Sequence, residues 1–418
     1  MRRKKSMKKL DKYQKLVLSI GVFAVLVGIL FRIYGYHPFY YVDCYSTTLL
    51  SFNYFDYGFG SRMLIGTMYA LLCKILPCAY GYKGAFWFMM FFALVMAITL
   101  IVFAVYLIGK LPKEKTAVKQ GVASFTSLAL VWLIISNMIG QNFGKPDALI
   151  IAVNVLQVYL LLENKKEWLV PLLSLVGVCC HEGYLCMTAC VSIGLLLYKA
   201  VRCTKKEKLY YWGLFVANLV LICGPAVYFV FFKPQLTHLW DTALAVSKGL
   251  SLNKGVHIEL IAQRLNAPIP ESIDMTSVIT DAEFKLAELK ETPVFIILAL
   301  PALIRFVTLI KALFKRKDGI NRHTGLYIGL FAVGVILVAV EFYLFCDFGR
   351  YVGWLIFYFW IILTYIAIKE KNGEEAFALA YQHSEKGVVI RALALLPLLP
   401  LNSSYYSFIS ALIAGLLF

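Results

Sequence analysis

Apolar runs recur along the whole chain, at 16–31, 84–108, 121–139, 148–162, 168–180, 184–198, 209–232, 294–313, 325–345, 351–368 and 388–418. A helix that spans a bilayer needs about 20 mostly apolar residues. The pattern predicts an all-α polytopic transmembrane protein with about eleven spans. A membrane β-barrel would show short alternating segments instead. Several runs are short and must lie nearly upright or thin the bilayer. Pro397 and Pro400 predict a kink or a split in the last run.

Composition agrees with that reading. Hydrophobic residues make up 61% of the 418 and charged residues 16%, against roughly a quarter charged in an ordinary soluble domain. Mean hydropathy is +0.74. These values exclude a soluble multi-domain protein and a disordered one. The net charge of +17 would suggest nucleic acid on a soluble chain. Here the apolar runs override it, and no nucleic-acid partner is expected. Most of the ten cysteines sit in apolar runs, where a thiol acts as a small hydrophobe. They form no zinc pattern.

The basic residues set an orientation. Eight Lys and Arg precede the first apolar run, and no small-residue cleavage site follows it. An uncleaved first span with a cytoplasmic N-terminus is predicted. The run 63–76 is ambiguous, because counting it as a span would reverse every later loop. Cytoplasmic loops are enriched in Lys and Arg. If 63–76 does not cross, 28 of the 41 basic residues lie on the cytoplasmic side and 12 on the outer side. The stretch is therefore predicted to be an interfacial or re-entrant helix in the first outer loop. The organisation that follows is an N-terminal membrane module (1–232), an outer loop or lid (233–292) and C-terminal membrane helices (293–418). The expected location is a bacterial plasma membrane.

Ionisable groups near hydrocarbon are costly and point to function. On this topology they gather at the outer face. Asp43, Asp56 and Arg62 fall in the first outer loop, Lys145 and Asp147 in the second, His181 and Glu182 in the third, and Asp347 and Arg350 in the fifth. A carboxylate can take a proton from an acceptor hydroxyl. An arginine can hold a phosphate through two parallel hydrogen bonds and stabilise its charge on leaving. That pair is what sugar transfer from a phosphate carrier requires. Short loops must also contain polar residues, so a simple scatter of loop charges is the competing reading. Asp56 can equally cap the interfacial helix or pair with Arg62. His181-Glu182 lacks the second histidine of a zincin and can simply cap the next span. Tyr40, Tyr41, Tyr45, Tyr54 and Tyr57 suit sugar stacking and an interfacial aromatic belt alike. There is no P-loop and no Asp-x-Asp nucleotide clamp.

Asp43, the stretch Phe55-Asp56-Tyr57-Gly58-Phe59-Gly60-Ser61-Arg62-Met63-Leu64-Ile65 and the stretch Lys145-Pro146-Asp147-Ala148-Leu149 together resemble the GT-C superfamily of membrane glycosyltransferases. The likeness is to its protein O-mannosyltransferase and aminoarabinose-transferase branch. Asp43 matches the first acidic position, with Cys44 where many members have a second acid. Arg62 takes the basic place of the later motif, without that motif's histidine and prolines. The resemblance implies a polyprenyl-phosphate sugar donor, a glycan, lipid or protein acceptor, and inverting transfer on the outer face. Asp43 is then expected to be the base, with Asp56 orienting. Arg62 and one of Lys145 or Arg350 would hold the phosphate. Asp147, His181, Glu182 and Asp347 are the further expected substrate-binding residues. No protein ligands for a metal are expected, although a divalent cation can accompany such donors.

Two rivals stand beside it. A polysaccharide polymerase or ligase tends to place paired arginines in large outer loops, and 233–292 holds only Arg264. A transporter or flippase would need polar residues deep in its spans and broken helices. Asn154, Gln157 and Asn218 are the few candidates.

Overall fold

The computed structural model describes residues 10–30, 32, 50, 52–60, 62–79, 82–111, 116–138, 143–181, 183–231 and 348–369, with isolated positions 329, 332 and 336. Among these residues the structure is helical and contains no strand. Helix α1 is Lys12–Leu30, α2 Tyr54–Tyr57, α3 Met63–Ile75, α4 Tyr82–Lys110 and α5 Thr116–Met138. Helix α6 is Asp147–Glu163, α7 Leu169–Cys180, α8 Tyr184–Met187, α9 Ala189–Arg202, α10 Lys205–Phe231 and α11 Phe348–Lys369. Among the described residues, four stretches are long and apolar enough to cross a membrane: α1, residues 84–110 of α4, 119–138 of α5 and 205–229 of α10. The spans expected at 294–313, 325–345 and 388–418 and the lid at 233–292 lie almost wholly outside the described residues.

Local sequence explains how α1 starts and packs. The Asp11 carboxylate accepts from the amides of Tyr13 and Gln14, at 3.0 and 2.9 Å. The Gln14 side chain accepts from the Asp11 amide in return (3.0 Å), which closes a reciprocal cap. Val17, Gly21, Ala24 and Gly28 form the buried face of this helix. A Cβ on Gly21 would lie 2.6 Å from Ile101, and one on Gly28 would lie 2.9 Å from Met138. Small residues at this spacing let α1 approach α4 and α5 closely, as apolar helices do where packing replaces hydrophobic drive.

The bundle has two distinct ends. The end where α1 begins, called proximal here, carries ion pairs between helices. Asp11 pairs with Lys119 of α5 at 2.8 Å. Glu163, closing α6, pairs with Lys110, accepts from Tyr106 and lies 3.5 Å from Lys165. Lys199 near the end of α9 pairs with Glu167 and donates to Asn164 (2.6 Å) in the turn between α6 and α7. Tyr365 of α11 packs edge-on to Tyr198 of α9, centroids 5.9 Å apart. These contacts orient the long helices alternately, so Met138, Asp147, Cys180 and Phe231 mark the opposite, distal end.

Helix α3 stays at the distal end. Its 13 residues extend about 20 Å, short of a hydrocarbon core of about 30 Å. Near its start, Thr67 Oγ1 accepts the Tyr54 amide (2.8 Å). Beyond its end, a short 3-10 turn, Pro77–Ala79, leads into α4 and packs on it. The Tyr69 ring lies 5.2 Å from that of Phe88, two turns into α4.

The segment expected as one helix over 184–198 is broken. Thr188 has φ −138° and ψ −13° and separates α8 from α9. On α11, Trp360 Nε1 donates to Thr126 Oγ1 of α5 (3.0 Å).

Candidate functional site

The distal end is assembled from three chain segments, and α7 is the common support. It runs antiparallel to α6 through a short turn, so its C-terminal residue Cys180 returns to the level of Asp147. Helix α3 packs on α7. Tyr54 of α2 lies against Cys179, and burial pushes its hydroxyl above its ordinary pKa. Phe59 extends the contact to α10, with its ring 5.6 Å from Tyr228 and 5.2 Å from Phe229. The first loop therefore covers the distal ends of α7 and α10.

Each described candidate has a definite place. Arg62 is the residue before α3 and is 4% exposed. Its φ of 62° is left-handed, a conformation that side chains adopt at a cost of about 1–2 kcal/mol. Lys145 and Asp147 flank Pro146, whose carbonyl accepts the amides of Leu149 and Ile150 in the first turn of α6 (3.0 and 3.1 Å). Both are buried, Asp147 to 1% exposure. A carboxylate in the first turn is favoured by the helix dipole.

His181 closes α7 with extended backbone, and its amide donates to the Gly177 carbonyl (3.1 Å). Its Nδ1 accepts the Gly183 amide at 2.8 Å. The ring proton that matches this bond is on Nε2, so the imidazole presents a donor. His181 is buried, and none of Arg62, Lys145, Asp147 and His181 is without a partner.

Asp56 stands apart from that buried set. It is exposed on α2, where Asn53 caps the helix by accepting the amides of Phe55 and Asp56, at 3.0 and 3.1 Å. Asn53 Nδ2 then donates to the Asp56 carboxylate (2.7 Å). Asp56 thus supports the cap of α2 and does not cap α3. Arg350 lies in the first turn of α11. Asp43, Glu182 and Asp347 lie outside the described residues.

Two features escaped the sequence reading. Arg32, two residues beyond α1, is buried, donates from Nε to the Met138 carbonyl (3.0 Å) and stacks 4.1 Å over Phe143. Its only sequence signal was a cation directly after an apolar run. The second feature is a polar network beneath the His181 turn, which joins Asn154, Gln157 and Asn218, read in the sequence only as single polar residues, to Ser174, Tyr184 and Ser192. Gln157 donates to Ser174 (2.8 Å) and to the Val170 carbonyl (3.0 Å). Ser174 donates to Asn218 (2.7 Å), and Asn218 donates to Ser192 (3.3 Å). Tyr184 donates to Gln157 (3.0 Å), and Asn154 donates to the carbonyl of Thr188 (3.2 Å) at the helix break. All six side chains are wholly buried.

Among the described residues, no three His, Cys, Asp or Glu side chains gather as a metal site. No protein-family model, curated protein or solved structure matches the chain.

Proposed function

We propose that this protein is an integral-membrane glycosyltransferase that moves a sugar from a polyprenyl-phosphate donor to an acceptor hydroxyl. The observation that supports the reading is the burial of Arg62, Lys145, Asp147 and His181 at one end of an apolar helix bundle. Charged groups buried at such a boundary must be paired to be tolerated, and by default they mark a functional site. A lipid-linked phosphate lies at that depth, with its tail in the hydrocarbon and its charge at the surface. Arg62, with Lys145 or Arg350, holds the phosphate and stabilises it as it leaves. Asp43 deprotonates the acceptor, and Asp56, fixed by Asn53, orients it. Asp147, His181, Glu182 and Asp347 complete the substrate contacts. In this reading the distal end faces outward, α3 lies in the interface, residues 233–292 cover the acceptor side, and the N-terminus is cytoplasmic.

The test is transfer from a radiolabelled polyprenyl-phosphate sugar by the purified protein. Transfer that is lost in Asp43→Asn and Arg62→Ala is the expected result. A folded protein that neither binds nor consumes any polyprenyl phosphate sinks the reading.

One observation favours a second reading, a transporter or flippase. The network around Gln157 sits at a broken helix, as substrate sites of secondary transporters do. Solute or lipid movement in proteoliposomes, without transfer, would select it.

A further inference from the structure

We infer that Arg32 is a positioning residue, a clamp that holds the loop bearing Lys145 and Asp147 against α1. The role of that loop in donor binding rests on the function proposed above; the clamp itself rests on geometry alone. Met138 is the last described residue of α5, and Arg32 Nε donates to its carbonyl at 3.0 Å across 106 residues of sequence. Its guanidinium plane then covers Phe143 at 4.1 Å. Phe143 is 1% exposed and packs on Phe86 of α4, with ring centroids 5.6 Å apart.

One side chain thus ties the end of α5 and the approach to α6 to the end of α1. Lys145 follows Phe143 by two residues and Asp147 by four, with Gly144 between in a left-handed turn (φ 81°). A shift of Phe143 is carried directly to both charged groups. The neighbouring contact fixes the same register, since Gly28 meets Met138 with no room for a Cβ. Only a planar, delocalised cation can stack on a ring and donate in its own plane at once, so lysine is not an equivalent.

The experiment measures acylation of individual lysines in the full-length protein in nanodiscs, using an amine-reactive ester read by mass spectrometry. Lys145 and Lys119 are both buried, at opposite ends of the bundle, so Lys119 reports on global loosening. In Arg32→Lys, Lys145 should react about ten-fold faster while Lys119 is unchanged. Phe143→Leu, which removes the stacking surface alone, should act in the same direction. An unchanged Lys145 rate in both variants overturns the clamp, and so does a parallel rise at Lys119.

Farnesyl phosphate binding is then measured on the same samples. Arg32→Lys should weaken it by about ten-fold, within the range that small misplacement of a site produces. It should have no further effect in a Lys145→Ala background, because coupled residues are not additive. Additive losses place Arg32 outside the Lys145 loop and overturn the positioning role. If the unsubstituted protein does not bind farnesyl phosphate, the glycosyltransferase reading fails while the acylation result still decides the clamp.

Discussion

The Tyr184 ring occupies the space that any side chain at position 177 would need: a Cβ on Gly177 would lie 2.6 Å from two of its ring carbons. Tyr184 is wholly buried, and its hydroxyl lies 3.0 Å from Gln157 and 3.1 Å from Ser174. Gly177 is also the residue whose carbonyl accepts the His181 amide. The missing side chain at 177 therefore sets the packing below the His181 turn.

Gly177→Ala should accordingly destabilise the protein by about 1–3 kcal/mol, the usual range for overpacking a core. The ring cannot retreat without breaking its hydrogen bonds. Thermal unfolding in detergent measures the effect. A melting temperature equal to that of the unsubstituted protein would show that the ring has room to move.

Acid should weaken the proximal end. Hydrogen bonds from Lys110 and Tyr106 hold the Glu163 carboxyl at about 2, against an ordinary 4.5. Burial pushes the Asp11 carboxyl up, but the Lys119 ammonium and the amides of Gln14 and Tyr13 outweigh it and lower its pKa. A carboxyl whose folded pKa is depressed stabilises fully above its unfolded pKa and loses that contribution as pH falls through the folded value. Melting temperature should therefore fall as pH drops from about 5 to about 2. Glu163→Gln should flatten part of that slope. A slope identical in both proteins would remove Glu163 from the account.

Asp43→Asn should reduce transfer by roughly 10²–10⁴-fold if general-base catalysis contributes its usual share. It should leave insertion and donor binding intact. Asp56→Asn keeps an acceptor for the Asn53 amide and should lower transfer far less. The reverse ranking assigns the base to Asp56, and no effect from either removes the glycosyltransferase reading.

Arg62 permits a separation of charge from backbone. Glycine adopts the φ of 62° without strain, so Arg62→Gly removes the guanidinium and relieves the turn. Donor binding should fall by about ten-fold or more in Arg62→Gly, and also in Arg62→Lys, which lacks the planar fork. Binding retained in Arg62→Gly would make the residue a turn former only.

Gln157→Leu distinguishes the two functional readings. It strands Ser174 and Tyr184 partners in the bundle interior, at about 1–3 kcal/mol for an unsatisfied buried group. An enzyme working at the distal end should keep its turnover below its lowered melting temperature. Solute movement that is lost in the variant, with no transfer by either protein, would instead place a transport path through the network.

The helical class was readable because the hydrophobic runs are a local property of the chain. Length and composition alone make α1, α4, α5 and α10 apolar enough to cross a bilayer. The start of α1 is also fixed locally, by Asp11 and Gln14 three residues apart, although the apolar run alone put it at 16. The polar breaks between runs also exposed Lys145, Asp147 and His181 as residues forced to one end.

Tertiary structure decided which groups meet. Arg32 and Met138 are 106 residues apart, and their bond depends on the rotation of α1 about its axis. Helices that are apolar all round carry no stripe to reveal that rotation. For the same reason Asn154, Gln157 and Asn218 read as isolated polar residues, although depth and rotation bring them into one network with Ser174, Tyr184 and Ser192. Asp56 shows the converse. Its sequence neighbour Arg62 suggested a pair, but the Asn53 cap turns α2 so that Asp56 is exposed while Arg62 is buried.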